Sequence, residues 1–327
     1  MSSRARRRRR RSPWPTLAVA LLAPIAVVAA VLMVLSDGGG GQASPAKPAT
    51  QSALGPPPRE PTPLVQGEPV PEVPLAGVDA FHVRFRKPPR AGVVLDLDSG
   101  EVLWRRRPLK RLPIASLTKI MTALLVTERA GPAERVRITR AVLRYSGSGV
   151  GVLPRGKRVP LEALLNGLML VSGNDAAIAL AGHVAGSERR FVQLMNRSAR
   201  RWGLGCTRFV DSHGLGDRNT SCPRDLAVLT RLAMANERIR RIARRRQAAP
   251  RFPIKGGRLF LYGHNPLIRL GYRGAIGLKT GYTNAAGRCF VGVARRGGRT
   301  LAVVLLRSPN PAKHAARLLD EGFAHTL

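Results

Sequence analysis

The sequence predicts an α+β domain: a mainly antiparallel sheet made from both ends of the globular chain, with a helical lobe grown out of its middle. Three observations predict it. Two β-type runs flank a turn at Asp98-Ser99-Gly100, further β-type runs return between residues 275 and 306, and the stretch between carries apolar residues at helical spacing.

The chain of 327 residues has a formal net charge of +36. It opens on a basic tail, residues 1–16, with arginines at 4 and 6–11. Residues 17–35 are apolar apart from Pro24, close to the roughly 20 residues a helix needs to cross a bilayer. With the arginines on the N-terminal side, the positive-inside rule keeps the N-terminus in the cytoplasm and exports the chain beyond residue 35. Signal-peptide cleavage is the alternative, but the apolar run exceeds the usual 7 to 15 residues of such a segment, and a retained anchor is the expectation. Residues 36–76 turn to Gly, Pro, Ser and Ala, with Pro56-Pro57-Pro58 and no hydrophobic period, which reads as a disordered linker. Globular sequence is expected over residues 77–327.

In that domain, residues 93–97 and 101–105 read as a hairpin. Next comes Pro113-Ile114-Ala115-Ser116-Leu117-Thr118-Lys119, with apolar residues at 117, 120, 121, 124 and 125, a turn running into a buried helix. Ser116 and Lys119 share a face one turn apart, where an amine could take a hydroxyl proton. A helix cap plus a surface lysine would look the same, and Ser44-Pro-Ala-Lys47 repeats the spacing in the linker, so context must decide. Residues 132–160 read as loops with short elements. Helices are expected at 161–170, 176–184, 189–202, 224–234 and 237–246, with a loop-rich stretch at 203–223. Strands are expected at 275–282, 288–294 and 300–306, and a helix at 313–323 closes the chain.

Two further motifs supply the context. Ser172-Gly173-Asn174 places a hydroxyl and an amide at the junction of two apolar helices. Lys279-Thr280-Gly281-Tyr282 lies on an expected strand, where Lys279 and Thr280 would meet a carboxylate and Gly281 would let a substrate backbone approach the edge. Ser-x-x-Lys, Ser-x-Asn and Lys-Thr-Gly in this order form the triple signature of the penicillin-binding and serine β-lactamase superfamily. Within it, IASLTKIMTALL, LMLVSGNDAAIALA and GLKTGYT resemble the D-alanyl-D-alanine carboxypeptidases, over about residues 91–323.

The resemblance implies a β-lactamase/transpeptidase-like fold and a serine-type carboxypeptidase that removes the terminal D-alanine from peptidoglycan stem peptides through a Ser116 acyl-enzyme. Lys119 is then a neutral base, and Ser172 passes a proton to the leaving group. Asn174 holds the substrate amide, Lys279 and Thr280 bind the terminal carboxylate, and the backbone N–H groups of Ser116 and Tyr282 hold the oxyanion. It implies β-lactams as covalent inhibitors and no metal or cofactor. The alternatives are a DD-endopeptidase acting on cross-links and an idle, membrane-tethered wall-binding module. In relatives with a second, sheet-rich domain the tether is C-terminal, whereas this chain ends soon after its last helix and its tether is expected at the N-terminus.

Other residues are assigned lesser roles. Glu162-Ala163-Leu164-Leu165-Asn166 matches the E-x-x-L-N motif of class A β-lactamases, but it precedes Ser172 instead of following it, so Glu162 reads as structural. Six histidines show no metal-ligand spacing. The basic charge suits anionic polymers, anionic lipid or nucleic acid, and equally a codon bias; export weighs against nucleic acid. Cys206 and Cys222 flank the segment around His213 and are expected to pair in an oxidising compartment, leaving Cys289 buried and free.

Overall fold

The chain's two ends meet in one sheet. A computed structural model describes residues 70–325 apart from Ser146. β1 (Ala91–Asp96) and β2 (Val102–Arg106) form the expected hairpin. After the short β3 (Leu112–Pro113), a 3-10 turn at Ala115–Leu117 leads into α1 (Thr118–Arg129), so Ser116 stands in the turn and α1 begins two residues later. The loop-rich stretch holds β4 (Arg135–Arg137), α2 (Arg140–Leu143) and β5 (Arg158–Pro160), with β4 and β5 paired antiparallel.

The lobe continues with the helices α3 (Leu161–Leu170), α4 (Asn174–Ala185) and α5 (Glu188–Arg201). Ser187 caps α5, its hydroxyl accepting from the backbone N–H of Arg190, as the Ser-Glu start favours. After β6 (Thr220–Ser221), which pairs with β3, come α6 (Pro223–Ala235) and α7 (Glu237–Ala243). α7 is shorter than the helix expected to reach residue 246, because the chain turns into β7 (Gln247–Ala248), which pairs with β8 (Leu261–Tyr262). The four-residue α8 (Pro266–Arg269) precedes the three long strands β9 (Ala275–Thr283), β10 (Gly287–Arg296) and β11 (Arg299–Leu306), and α9 (Pro311–Ala324) is the last element.

The main sheet has the order β2-β1-β11-β10-β9 and is antiparallel throughout, so the last long strand lies beside the first. It is covered on both faces, which is why β11 reads as an almost unbroken apolar run. Val303 and Leu305 pack with Leu318, Leu319 and Phe323 of α9 on one side, while Ala302, Val304 and Leu306 join the core of the helical lobe on the other. In that lobe α1 is buried from Thr118 to Val126 and packs against α3, α4, α6 and α7, which fixes its first turn, and hence Ser116 and Lys119, against the edge of β9.

Two expectations meet the structure at the N-terminus. Residues 70–76, read as the end of the linker, lie along the domain: Val73 is 5% exposed within the core, and the Glu72 carbonyl accepts from Arg231 at 2.6 Å. Their prolines hide the apolar period that would have revealed this. The basic tail, the apolar segment at 17–35, the linker up to residue 69 and the Ser44-to-Lys47 repeat lie outside the described residues. Among the described residues, no helix is long and apolar enough to cross a membrane. Cys206 and Cys222 are bonded, and Cys289 is free and buried on β10.

Candidate active site

Four pieces of chain converge: the turn before α1, the corner between α3 and α4, the loop around His213, and β9. Close backbone approach makes this possible at two glycines. Gly214 has φ +90°, and a Cβ there would lie 2.0 Å from the Ala115 carbonyl oxygen. Gly281 sits against the same turn, where a Cβ would meet the Ile114 carbonyl oxygen at 2.9 Å and the Ser116 nitrogen at 3.1 Å. The space that Gly281 opens, expected to admit a substrate backbone, is therefore filled by the chain's own Ser116 turn. Tyr282, the next residue, is 64% exposed at the strand edge.

Lys119 is fully buried, and its Nζ lies 2.9 Å from Ser116 Oγ, 2.5 Å from Asn174 Oδ1 and 2.5 Å from the His213 carbonyl oxygen. An ammonium would donate to all three. A neutral amine keeps two N–H bonds for the two carbonyl-type oxygens and turns its lone pair on the Ser116 hydroxyl. Burial holds the Lys119 pKa well below the usual lysine range, and the charge of Lys279 adds to this, against opposing pulls from Asp211 and Asp175. The sequence motif thus folds into a hydroxyl with an amine able to take its proton.

Ser172 and Lys279 form a second pair. Lys279 is 2% exposed and its Nζ donates to Ser172 Oγ at 2.9 Å and to the Thr280 carbonyl at 3.0 Å. Burial alone brings its pKa down to about 7. Ser172 adopts φ +61° and Ala115, just before Ser116, φ +48°. Left-handed backbone at a non-glycine residue costs about 1–3 kcal/mol and persists where surrounding structure enforces it, commonly at reacting sites. Thr280 faces a crevice that it shares with Leu170, Arg245 and His264, and burial with the charge of Lys279 lowers the His264 pKa.

The structure brings Ser116, Lys119, Ser172, Asn174 and Lys279 into one cluster made of two hydrogen-bonded groups, Ser116–Lys119–Asn174 and Ser172–Lys279, which interact through the charge of Lys279 on Lys119. Thr280, Gly281 and Tyr282 lie along its β9 wall. Sequence reasoning missed the groups that hold them. Tyr145 accepts from Asn174 Nδ2 at 2.5 Å through its hydroxyl, fixing the amide so that its oxygen faces Lys119. Asp175 accepts from the backbone N–H of Val150 and Gly151 at 2.7 and 2.9 Å, tying the preceding loop to the corner. Asp211 accepts from the N–H groups of His213, Gly214 and Gly216, shaping the turn that aims the His213 carbonyl at Lys119. The Asp-Ser-His-Gly string was the available signal, since Asp three residues before a Gly favours such a turn. Glu162 takes no part in the cluster: it receives Arg238 Nε at 2.8 Å and joins α3 to α7.

A family profile described as D-alanyl-D-alanine carboxypeptidase matches residues 88–310. The chain is similar to the D-alanyl-D-alanine carboxypeptidase DacB2 of Mycobacterium tuberculosis, 38% identical over 246 residues that cover 72% of this chain and 83% of that protein. It is 32% identical to the D-alanyl-D-alanine carboxypeptidase DacF of Bacillus subtilis over 72% of this chain, but spans only 62% of that longer protein. Among solved structures, the Streptomyces K15 DD-transpeptidase superposes with a TM-score of 0.69 at 30% identity, covering 74% of this chain and 100% of that one.

Proposed function

The chain belongs to the D-alanyl-D-alanine carboxypeptidase family, and on that premise we propose that it removes the terminal D-alanine from peptidoglycan stem peptides through an acyl-enzyme on Ser116. One observation carries the assignment of the nucleophile: a buried, neutral-leaning amine, Lys119, stands 2.9 Å from the Ser116 hydroxyl with its other acceptors already satisfied.

In this reading Lys119 takes the Ser116 proton as Oγ attacks the carbonyl between the two D-alanines. The oxyanion draws on the N–H groups of Ser116 and Tyr282, an arrangement worth about 3–4 kcal/mol per donor in acyl-transfer enzymes. Ser172 hands its proton to the departing amine and recovers one from protonated Lys119, so the C–N bond breaks, free D-alanine leaves and Lys119 is neutral again. Water then attacks the ester and gives up a proton to Lys119, which passes it to the leaving Ser116 Oγ as the shortened peptide is released and Ser116 is regenerated. The terminal carboxylate meets Lys279 and Thr280; its negative charge favours the protonated form of a lysine that burial has brought to about 7. Asn174 holds the substrate amide. A β-lactam, which resembles the D-alanyl-D-alanine terminus, acylates the same hydroxyl.

The placement we propose is a membrane anchor at residues 17–35 with the N-terminus in the cytoplasm and the catalytic domain outside. The motivating features are the apolar run and the arginines before it. The activity is tested by incubating the full-length protein with a diacyl-D-Ala-D-Ala peptide and with a purified cross-linked peptide dimer. Release of free D-alanine from the first is expected. Cleavage of the dimer without D-alanine release from the monomer would overturn the carboxypeptidase reading in favour of an endopeptidase.

A further inference from the structure

One flank of α3 carries features that this chemistry leaves unused. From Arg258 to His264 exposure alternates: Arg258, Phe260, Tyr262 and His264 face solvent, while Leu259 and Leu261 are 3% and 2% exposed. A period of two puts the four exposed side chains on one face of an extended segment, and this segment forms one arm of the hairpin that pairs β7 with β8. Phe260 and Tyr262 are 65% and 63% exposed, two large rings in one row instead of scattered singly. At about 3.3 Å per residue the row is about 20 Å long.

Its two ends differ. At the His264 end, the backbone N–H donates to the Leu170 carbonyl at 3.0 Å, at the C-terminus of α3 and beside the Ser172 corner. At the other end, Arg258 lines a cavity of about 390 Å³ with Arg135, Arg251, Pro160 and Phe252. Among the described residues none of these three arginines has a carboxylate within ion-pair distance. The acids nearest in sequence are engaged elsewhere: Glu134 faces His183 at 2.8 Å, and Glu162 holds Arg238. Aromatic faces stack on the apolar faces of sugar rings, and guanidinium forks bind carboxylate or phosphate in bidentate fashion.

We propose that this row is an exosite for the carbohydrate strand of the polymer that carries the substrate peptide. Phe260 and Tyr262 stack on its sugars, and the Arg135, Arg251 and Arg258 cleft takes an anionic group, carboxylate or phosphate, borne on the same strand. The identity of the polymer rests on the proposed function; because the row ends at the reacting cleft, a strand lying along it would present its peptides to Ser116.

The test uses the full-length protein and three variants: Phe260→Ala with Tyr262→Ala; Arg135→Gln with Arg251→Gln and Arg258→Gln; and, as a charge-matched control, Arg189→Gln with Arg197→Gln and Arg200→Gln on the exposed face of α5. Three readouts are taken: turnover of the soluble diacyl peptide, turnover of intact polymeric peptidoglycan, and binding of peptide-free glycan strands. Both row variants are expected to keep soluble-peptide turnover within about twofold, to lose at least about tenfold in kcat/KM on the polymer through KM, and to bind the glycan strands at least about tenfold more weakly; the control should change by less than about threefold. Equal losses in the control would reduce the effect to the general positive field and overturn the site. Parallel losses on peptide and polymer would make the row structural, and absence of glycan binding by the unaltered protein would end the proposal. Failure to turn over the soluble peptide would instead count against the proposed function, while glycan binding still judges the exosite. Removing phosphate from the glycan distinguishes the anion: loss of the arginine-dependent part assigns phosphate, persistence assigns carboxylate, and either supports the site.

Discussion

Replacing Lys279 separates a specific contact from the positive field of so basic a chain. Its Nζ donates to Ser172 Oγ at 2.9 Å and to the Thr280 carbonyl at 3.0 Å, and its charge is the second cause, after burial, of the low Lys119 pKa. A hydrogen bond from a charged group is worth about 1.5–3 kcal/mol, so Lys279→Gln should lower kcat/KM on a diacyl-D-Ala-D-Ala peptide by about ten- to 150-fold. The pH profile carries the sharper signature. In the unaltered protein the rate should rise as Lys119 loses its proton and fall as Lys279 loses its own, with the falling midpoint at about 7. In Lys279→Gln the falling limb should vanish, and the rising limb should move to higher pH because the charge that helped to hold Lys119 low is gone. Lys279→Arg keeps the charge but puts a larger fork into a site where the lysine is 2% exposed, so it too should lose at least about tenfold, with no falling limb. Arg241→Gln on the exposed face of α7 is the control. Arg245 is unsuitable, because it donates to Asn166 at 2.9 Å and lines the crevice beside Thr280. A loss below about threefold at Lys279 with both pH midpoints unmoved would refute the assignment.

Two further predictions test the frame around the cluster. Gly214→Ala combines φ +90° with a Cβ 2.0 Å from the Ala115 carbonyl oxygen, so it should cost about 3 kcal/mol or more in thermal or urea unfolding and slow acylation of Ser116; a variant of unchanged stability would contradict the close approach. Glu162→Gln removes the charge that holds Arg238 in a partly exposed pair, which should cost about 0.5–1.5 kcal/mol of stability, yet it should leave the lifetime of a penicilloyl adduct within twofold, whereas a shared role with the β-lactamase glutamate would lengthen it many times.

Much of this was legible in the sequence where side chains carry the signal. β10 and β11 are apolar runs around a Gly-Gly turn, and they pair as that pattern implies, from Phe290 with Leu305 to Arg296 with Arg299. Ser116 and Lys119 are one turn apart in the chain and 2.9 Å apart in space, because the buried face of α1 leaves the lysine no route to solvent. What was not legible depends on backbone or on distant partners. The His213 carbonyl that receives Lys119 has no residue-type signature, and Tyr145 meets Asn174 only because the loop before α3 folds back on the corner. β7 and β8 are two residues each, too short for a period, so the aromatic row beside them stood out only once Leu259 and Leu261 proved buried. Gly281 looked like room for a ligand, and only the fold shows that the Ser116 turn occupies it.

The central claim, that Ser116 is the nucleophile and Lys119 its base, is tested most directly by mass spectrometry of peptides from the full-length protein after exposure to penicillin. A single covalent adduct is predicted on the peptide that contains Ser116, formed many times more slowly in Lys119→Met and absent in Ser116→Ala. An adduct on Ser172, on Ser44 or on no residue, or unimpaired labelling in Lys119→Met, would contradict it.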